Sequence, residues 1–214
     1  GVLALRDGAL EYIACRNIAD HPLQQFAIHA EDYSKAEDAG EIAAIVHSHP
    51  FASVQSSEAD RSACEESGLP WIIVNPQTGD VHQFAPCGHE APLIGRTFVY
   101  GVHDCYTVIR DYFKRELGIV LADADRQEFG WWKNGKNLYV ENFGRFGFVR
   151  VQDAPRLHDV FLVQVLSDVP NHAAVYLGDN MVLHHMVNQL SRRDVYGGYL
   201  QQHTALVLRH RTLC

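Results

Sequence analysis

Asp104-Cys105-Tyr106-Thr107-Val108-Ile109-Arg110-Asp111-Tyr112-Phe113 reads as a capped helix whose first residue is a thiol. The Asp carboxylate can accept the orphan backbone N–H groups of a first turn, and the partial positive charge of that turn favours thiolate over thiol. Apolar or aromatic residues at 108, 109, 112, 113 and 117 recur at helical spacing, so one face is buried and holds the sulfur rigidly. Gly118 then ends the helix.

A thiolate nucleophile needs a base. Downstream, Asn171-His172-Ala173-Ala174-Val175-Tyr176-Leu177 and Met181-Val182-Leu183-His184-His185 read as two strands around the turn signal Gly178-Asp179-Asn180. His172 at the start of one strand can lie beside His184 near the end of the next. His172 would then take the proton of Cys105, and His184 would orient the imidazole. Taken singly, these are a buried thiol and two strand histidines; the combination is what is specific. An Asp-Cys helix start, then Asn-His-Ala-Ala-Val-Tyr-Leu-Gly, then Leu-His, resembles the NlpC-like papain-fold peptidoglycan peptidases. The resemblance implies a catalytic triad of Cys105, His172 and His184, with peptidoglycan peptide stems as substrate. Many members also carry a Tyr ahead of the cysteine that helps to stabilise the oxyanion. The matching stretch here is Thr97-Phe98-Val99-Tyr100-Gly101, so either Tyr100 takes that part or it is vacant.

The N-terminal half carries a second constellation. Ile42-Ala43-Ala44-Ile45-Val46 is a buried-strand run that delivers His47-Ser48-His49-Pro50. Alternate side chains of a strand share a face, so the two imidazoles can grip one ion. Ser57-Glu58-Ala59-Asp60 starts a helix, and Asp60 can supply a third ligand. Two His and a carboxylate leave a fourth position for water, the layout of catalytic zinc. Ser57-x-x-Asp60 is equally a capping-box start that needs no metal. The ordered set resembles the JAMM (MPN+) metalloproteases. That resemblance implies one zinc ion on His47, His49 and Asp60, Ser57 polarising the scissile carbonyl, and a Glu on an earlier strand as general base. The Glu is not visible: the chain opens at Gly1, where proteins of this type carry it just upstream. The expectation is therefore a domain that holds zinc and is a poor metallopeptidase. Glu41 shares the His47 strand but lies roughly 20 Å along it; Glu11, on the next strand of the hairpin, stays open.

The 214 residues carry a net charge of −8 and no polybasic run, which argues against a nucleic-acid binder. No apolar run approaches the ~20 residues of a membrane span. Five widely spaced cysteines without a C-x-x-C pair indicate neither a disulfide framework nor a zinc ribbon, and a reducing cytosol is expected. No signal peptide is read at the N-terminus.

The expected fold is α+β in two domains. Residues 1–86 form a JAMM-type α/β domain with a small mixed sheet, 87–92 a linker, and 93–214 a papain-like NlpC-type α+β domain whose antiparallel sheet packs on the Cys105 helix. The aromatic-rich stretch 127–147 reads either as a substrate groove or as a loop packed on the core. His82 and His89 read as surface residues, Asp159 and His103 as structural ones. Two peptidase motifs in this order resemble a family of tail assembly proteins of lambda-type tailed phages over essentially the whole length. That implies other tail tip proteins as partners, and the host cytoplasm or the virion tail tip as location. Two alternatives stand beside wall cleavage: an assembly factor that binds or trims tail proteins, and an amidase or acyltransferase with a non-wall substrate.

Overall fold

The computed structural model describes residues 1–19, 22–23, 25–123 and 129–214, so positions 127 and 128 of the aromatic stretch lie outside it. The chain divides into two compact units, Gly1–Ala91 and Pro92–Cys214.

The first unit is a five-stranded mixed sheet with two helices. Its strands are β1 (Val2–Arg6), β2 (Ala9–Ile13), β3 (Glu41–Ser48), β4 (Trp71–Val74) and β5 (Val81–Phe84), in the order β2-β1-β3-β4-β5. Asp7 and Gly8, both at positive φ, close the β1–β2 hairpin. Among the described residues the only parallel neighbours in this sheet are β3 and β4. Parallel strands need a crossover, and helix α2 (Glu58–Ser67) supplies it, while α1 (Ala30–Ala39) precedes β3. Val2, Ala36, Ile45, Cys64 and Trp71 form the core. Residues 87–91, expected as linker, are tied back to α2: the Cys87 and His89 backbone N–H groups both donate to the Glu65 carboxylate.

The second unit is a six-stranded, wholly antiparallel sheet in the order β10-β9-β8-β7-β11-β6. Its strands are β6 (Phe148–Val151), β7 (Val160–Val163), β8 (His172–Tyr176), β9 (Met181–His184), β10 (Arg192–Val195) and β11 (Thr204–His210). Helix α3 (Cys105–Leu117) buries Val108, Ile109, Tyr112 and Phe113 against Leu162, Ala173, Val175 and Leu183. Gly118 takes the left-handed conformation past its end. Alternate residues of the same strands, Phe161, Val163, Ala174 and Val182, form a second core with Tyr196 on the other face. Two short helices, α4 (Leu138–Asn142) and α5 (Gly198–Gln202), complete the unit. Asp159 is fully buried and accepts two 2.8 Å bonds from the Arg209 guanidinium, joining β11 to the residue that precedes β7. Among the described residues no helix is long and apolar enough to cross a membrane.

Candidate functional site

Cys105 is placed by a buried carboxylate. Asp104 Oδ1 accepts the backbone N–H groups of Tyr106 and Thr107, each at 2.9 Å, and the Thr107 hydroxyl accepts the Asp104 N–H at 2.8 Å. The second oxygen, Oδ2, accepts the N–H of Gly101 at 3.0 Å, so one side chain caps α3 and anchors the loop that enters it. Cys105 is then the first helical residue, half-buried, at the positive end of the helix.

The thiol lies 3.0 Å from the Tyr139 hydroxyl. Tyr139 comes from α4, within the aromatic stretch, and was not singled out by the sequence reading, because nothing local in Asn137-Leu138-Tyr139 marks a partner 34 residues away. Edge-to-face contacts run from Tyr139 through Trp131, Trp132 and Phe129 to Tyr100. The aromatic stretch thus forms a wall beside the thiol. Tyr100 belongs to that wall, while the hydroxyl at the sulfur is that of Tyr139.

Cys105 and His172 line one cavity of about 690 Å³, which Tyr139, Trp132, Asn171 and His185 also border. His172 Nε2 is 3.1 Å from His184 Nδ1. The hairpin sets this contact: His184 stands opposite Ala174, two residues beyond His172 on the same face of β8. Burial, with His184 and His185 nearby, pulls the His172 imidazole down to about 3, so it is neutral at pH 7. His184 is lowered too, by burial foremost, with Asp194 opposing and Arg192 adding to the effect. His185 directs Nε2 at the Gln189 carbonyl, 3.1 Å away, and packs edge-on against Phe98. Next to the cap, His103 is fully buried, and burial together with Arg96 draws it down to about 4.

The three residues of the N-terminal constellation also gather. His47 Nε2 lies 3.1 Å from His49 Nε2 and 3.3 Å from Asp60 Oδ1, and His49 Nε2 lies 3.6 Å from Asp60 Oδ2. Ligands about 2.0–2.1 Å from a tetrahedral ion stand roughly 3.3 Å apart, so these separations suit zinc. The Ser53 carbonyl, 2.7 Å from His49 Nδ1, holds the proton on that nitrogen and leaves Nε2 bare. Phe26 stacks on the His47 ring at 4.4 Å. Burial raises the Asp60 carboxyl, but hydrogen bonds from His47 and Ser57 outweigh it and leave it below the usual range. Ser57 is the N-cap of α2: its hydroxyl accepts the Asp60 N–H at 3.1 Å, and its own N–H donates to Asp60 Oδ2 at 2.7 Å. The capping box and the ligand set therefore share Asp60. Glu11 lies apart from them. It pairs with Ala4, which pairs with Ile42, five residues or about 16 Å along β3 from His47. His82 is on β5 and stacks on Phe84.

The profile of the NlpC/P60 family matches residues 95–209. The tail tip assembly protein K of Escherichia phage N15 is 40% identical over 213 residues, which cover 99% of this chain and 87% of that protein. The tail tip assembly protein K of Escherichia phage lambda is 44% identical over 182 residues, 85% of this chain and 88% of that protein. With a helix-borne cysteine and a strand histidine on one cavity inside the matched span, the chain belongs to the NlpC/P60 family, in the branch represented by these tail tip assembly proteins.

Proposed function

We propose that the second unit is a cysteine peptidase or amidase and that the chain acts in tail tip assembly alongside other tail proteins, within the host cytoplasm. The observation that carries the chemistry is the cavity shared by Cys105 and His172, with His184 behind the imidazole. The Cys105 sulfur attacks the carbonyl carbon of a bound amide as His172 takes the thiol proton. The carbon–nitrogen bond then breaks, the amine leaves with that proton, and water releases the acid from the thioester. The Tyr139 hydroxyl, at hydrogen-bond distance from the sulfur, donates to it as the proton passes to His172.

The substrate we assign is the peptide stem of peptidoglycan, by resemblance to NlpC-like enzymes. The aromatic wall of Trp131, Trp132 and Phe129 favours a second substrate, an apolar segment of a tail protein that is trimmed during assembly. Digestion of purified muropeptides, followed by mass spectrometry, tests the first. Product formed by the wild-type chain and absent with Cys105→Ala supports wall cleavage; no product from any muropeptide, with a shortened tail protein instead, selects trimming.

The first unit we assign as a JAMM-like domain holding one zinc ion through His47 Nε2, His49 Nε2 and the Asp60 carboxylate. Bound there, zinc would act as a Lewis acid on a carbonyl or on water. Glu11 is level with Ile42, about 16 Å along β3 from His47, and Ser57 is committed to the helix cap.

A further inference from the structure

His172, His184 and Asp194 lie on one diagonal of the second sheet. His184 stands opposite Ala174 on β8 and opposite Arg192 on β10. His172 is two residues before Ala174, and Asp194 two residues after Arg192. Residues two apart share a face of a strand, so the three side chains project from the same face, one from each of three adjacent strands. The ring contact between the histidines is 3.1 Å, and His184 Nε2 lies 3.7 Å from Asp194 Oδ2. His184 is buried, and among the described residues its Nε2 has no hydrogen-bond partner; Asp194 is the carboxylate that faces it, 3.7 Å away.

Proton positions follow from the chemistry proposed for Cys105. His172 Nε2 faces His184, so Nδ1 is the ring nitrogen left for the cavity. To accept the thiol proton, Nδ1 must be bare, and the ring proton is then on Nε2, donated to His184 Nδ1. His184 in turn carries its proton on Nε2, directed at Asp194. We infer that Asp194 is a positioning residue that fixes this tautomer of His184 and so keeps His172 Nδ1 bare toward Cys105. The inference rests on the reading of Cys105 and His172 as nucleophile and base. Other groups around His184 give no substitute anion: His172 and His185 are imidazoles, and Arg192 is a cation that shares Asp194 Oδ2 at 2.8 Å. When His172 takes a proton, Asp194 is the negative charge at the far end of the chain, and Arg192 tempers it.

The test uses the full chain with iodoacetamide as probe. Alkylation of Cys105 is followed by peptide mapping between pH 5 and 10, and the His184 ring nitrogens are observed by nitrogen NMR. Asp194→Asn should move the midpoint of the rate profile up by about one pH unit, slow alkylation at pH 7 about tenfold, and turn the Nε2–H form of His184 into a mixture. Arg192→Gln keeps the carboxylate and removes its competitor, so it should move the midpoint down; it also serves if Asp194→Asn does not fold. Wild-type midpoints and an unchanged His184 tautomer in the folded variants would overturn the inference while Cys105 is still slowed by His172→Ala. If His172→Ala leaves Cys105 reactivity unaltered, the nucleophile–base reading has failed and the role of Asp194 falls with it.

Discussion

The Tyr139 hydroxyl sits 3.0 Å from the Cys105 sulfur, so the thiol has a hydroxyl beside it that can donate to a thiolate, as well as a helix terminus beneath it. Both favour the thiolate. Cys64 has the opposite surroundings: burial foremost, then Glu65 and Cys87, push its thiol up to about 11. We predict that Cys105 is alkylated by iodoacetamide at pH 7 at least tenfold faster than Cys64, and ahead of Cys15 and Cys87. Tyr139→Phe should slow Cys105 roughly tenfold at pH 7, the worth of one charge-assisted hydrogen bond, and leave its rate at pH 10 nearly unchanged. Equal slowing at both pH values would mean that Tyr139 acts through packing alone.

Zinc content should follow the N-terminal triad. Purified without chelator, the chain should carry close to one zinc ion, and His47→Ala, His49→Ala or Asp60→Ala should each remove most of it. His82→Ala, on β5 and stacked on Phe84, should leave it in place. Metal analysis of the four variants decides this, and a zinc content unaffected by the double His47→Ala, His49→Ala change would exclude the site.

The general base of that site can be tested by register. Gly1 and Val46 exchange two backbone hydrogen bonds, 2.9 and 2.8 Å long, so a residue added ahead of Gly1 would continue the ladder toward His47. Residues 1–91, which form a compact unit, should be inert on isopeptide substrates. An upstream extension bearing Glu should restore zinc-dependent cleavage by a factor of about 10² to 10⁴. Cleavage by the unextended unit, lost in Glu11→Gln, would show that the base belongs to β2.

Stability should fall with mild acid. His103 at about 4 and His172 at about 3 are held neutral by burial, and His184 and His185 are lowered in the same direction. In the unfolded chain a histidine titrates near 6.5. Between these values the unfolded state binds more protons, so unfolding is favoured as pH drops. The stabilisation is complete above about pH 6.5 and is lost progressively toward pH 3. The melting temperature should be level from pH 7 to 8 and decline steadily below 6.5, with a shallower decline in His103→Phe. A melting temperature as high at pH 5 as at pH 7.5 would contradict this.

Arg209 and Asp159 form a buried bidentate pair, and hydrogen bonds to Asp159 and Asp153 hold the guanidinium firmly in its charged form. Removing Asp159 leaves the buried guanidinium charged, with the more exposed Asp153 on one nitrogen as its remaining carboxylate. Asp159→Ala should cost roughly 3–5 kcal/mol by urea denaturation, whereas the paired change Asp159→Leu, Arg209→Met should recover much of the loss. Equal losses in the single and paired variants would show that packing, not charge, is what the pair supplies.

Much of this arrangement was legible in the sequence because it is local. A cap and its helix lie within four residues, so Asp104 and Ser57 announced α3 and α2. Period-two alternation and the turn Gly178-Asp179-Asn180 placed His172 beside His184. What escaped notice is held by partners distant in the chain. Tyr139 meets Cys105 across 34 residues, and β10, Arg192-Arg193-Asp194-Val195, lacks the apolar alternation that marks a half-buried strand. As an edge strand it needs little apolar surface, and its charges also discourage pairing with other chains. Asp194 was overlooked with it.

The place of β11 in its sheet has a temporal consequence. The strand of highest residue number in this sheet lies between β7 and β6, which are both made earlier and do not pair with each other. Until residues 204–210 have left the ribosome, those two strands have no neighbour to close the gap, and the sheet beneath the Cys105 helix stays open. The first unit, by contrast, draws all its strands from residues 1–91 and can fold as soon as they emerge. Synthesis thus delivers the first unit ahead of the second and leaves the sheet that carries His172 and His184 unclosed until residue 210 has emerged, a built-in delay between the two halves.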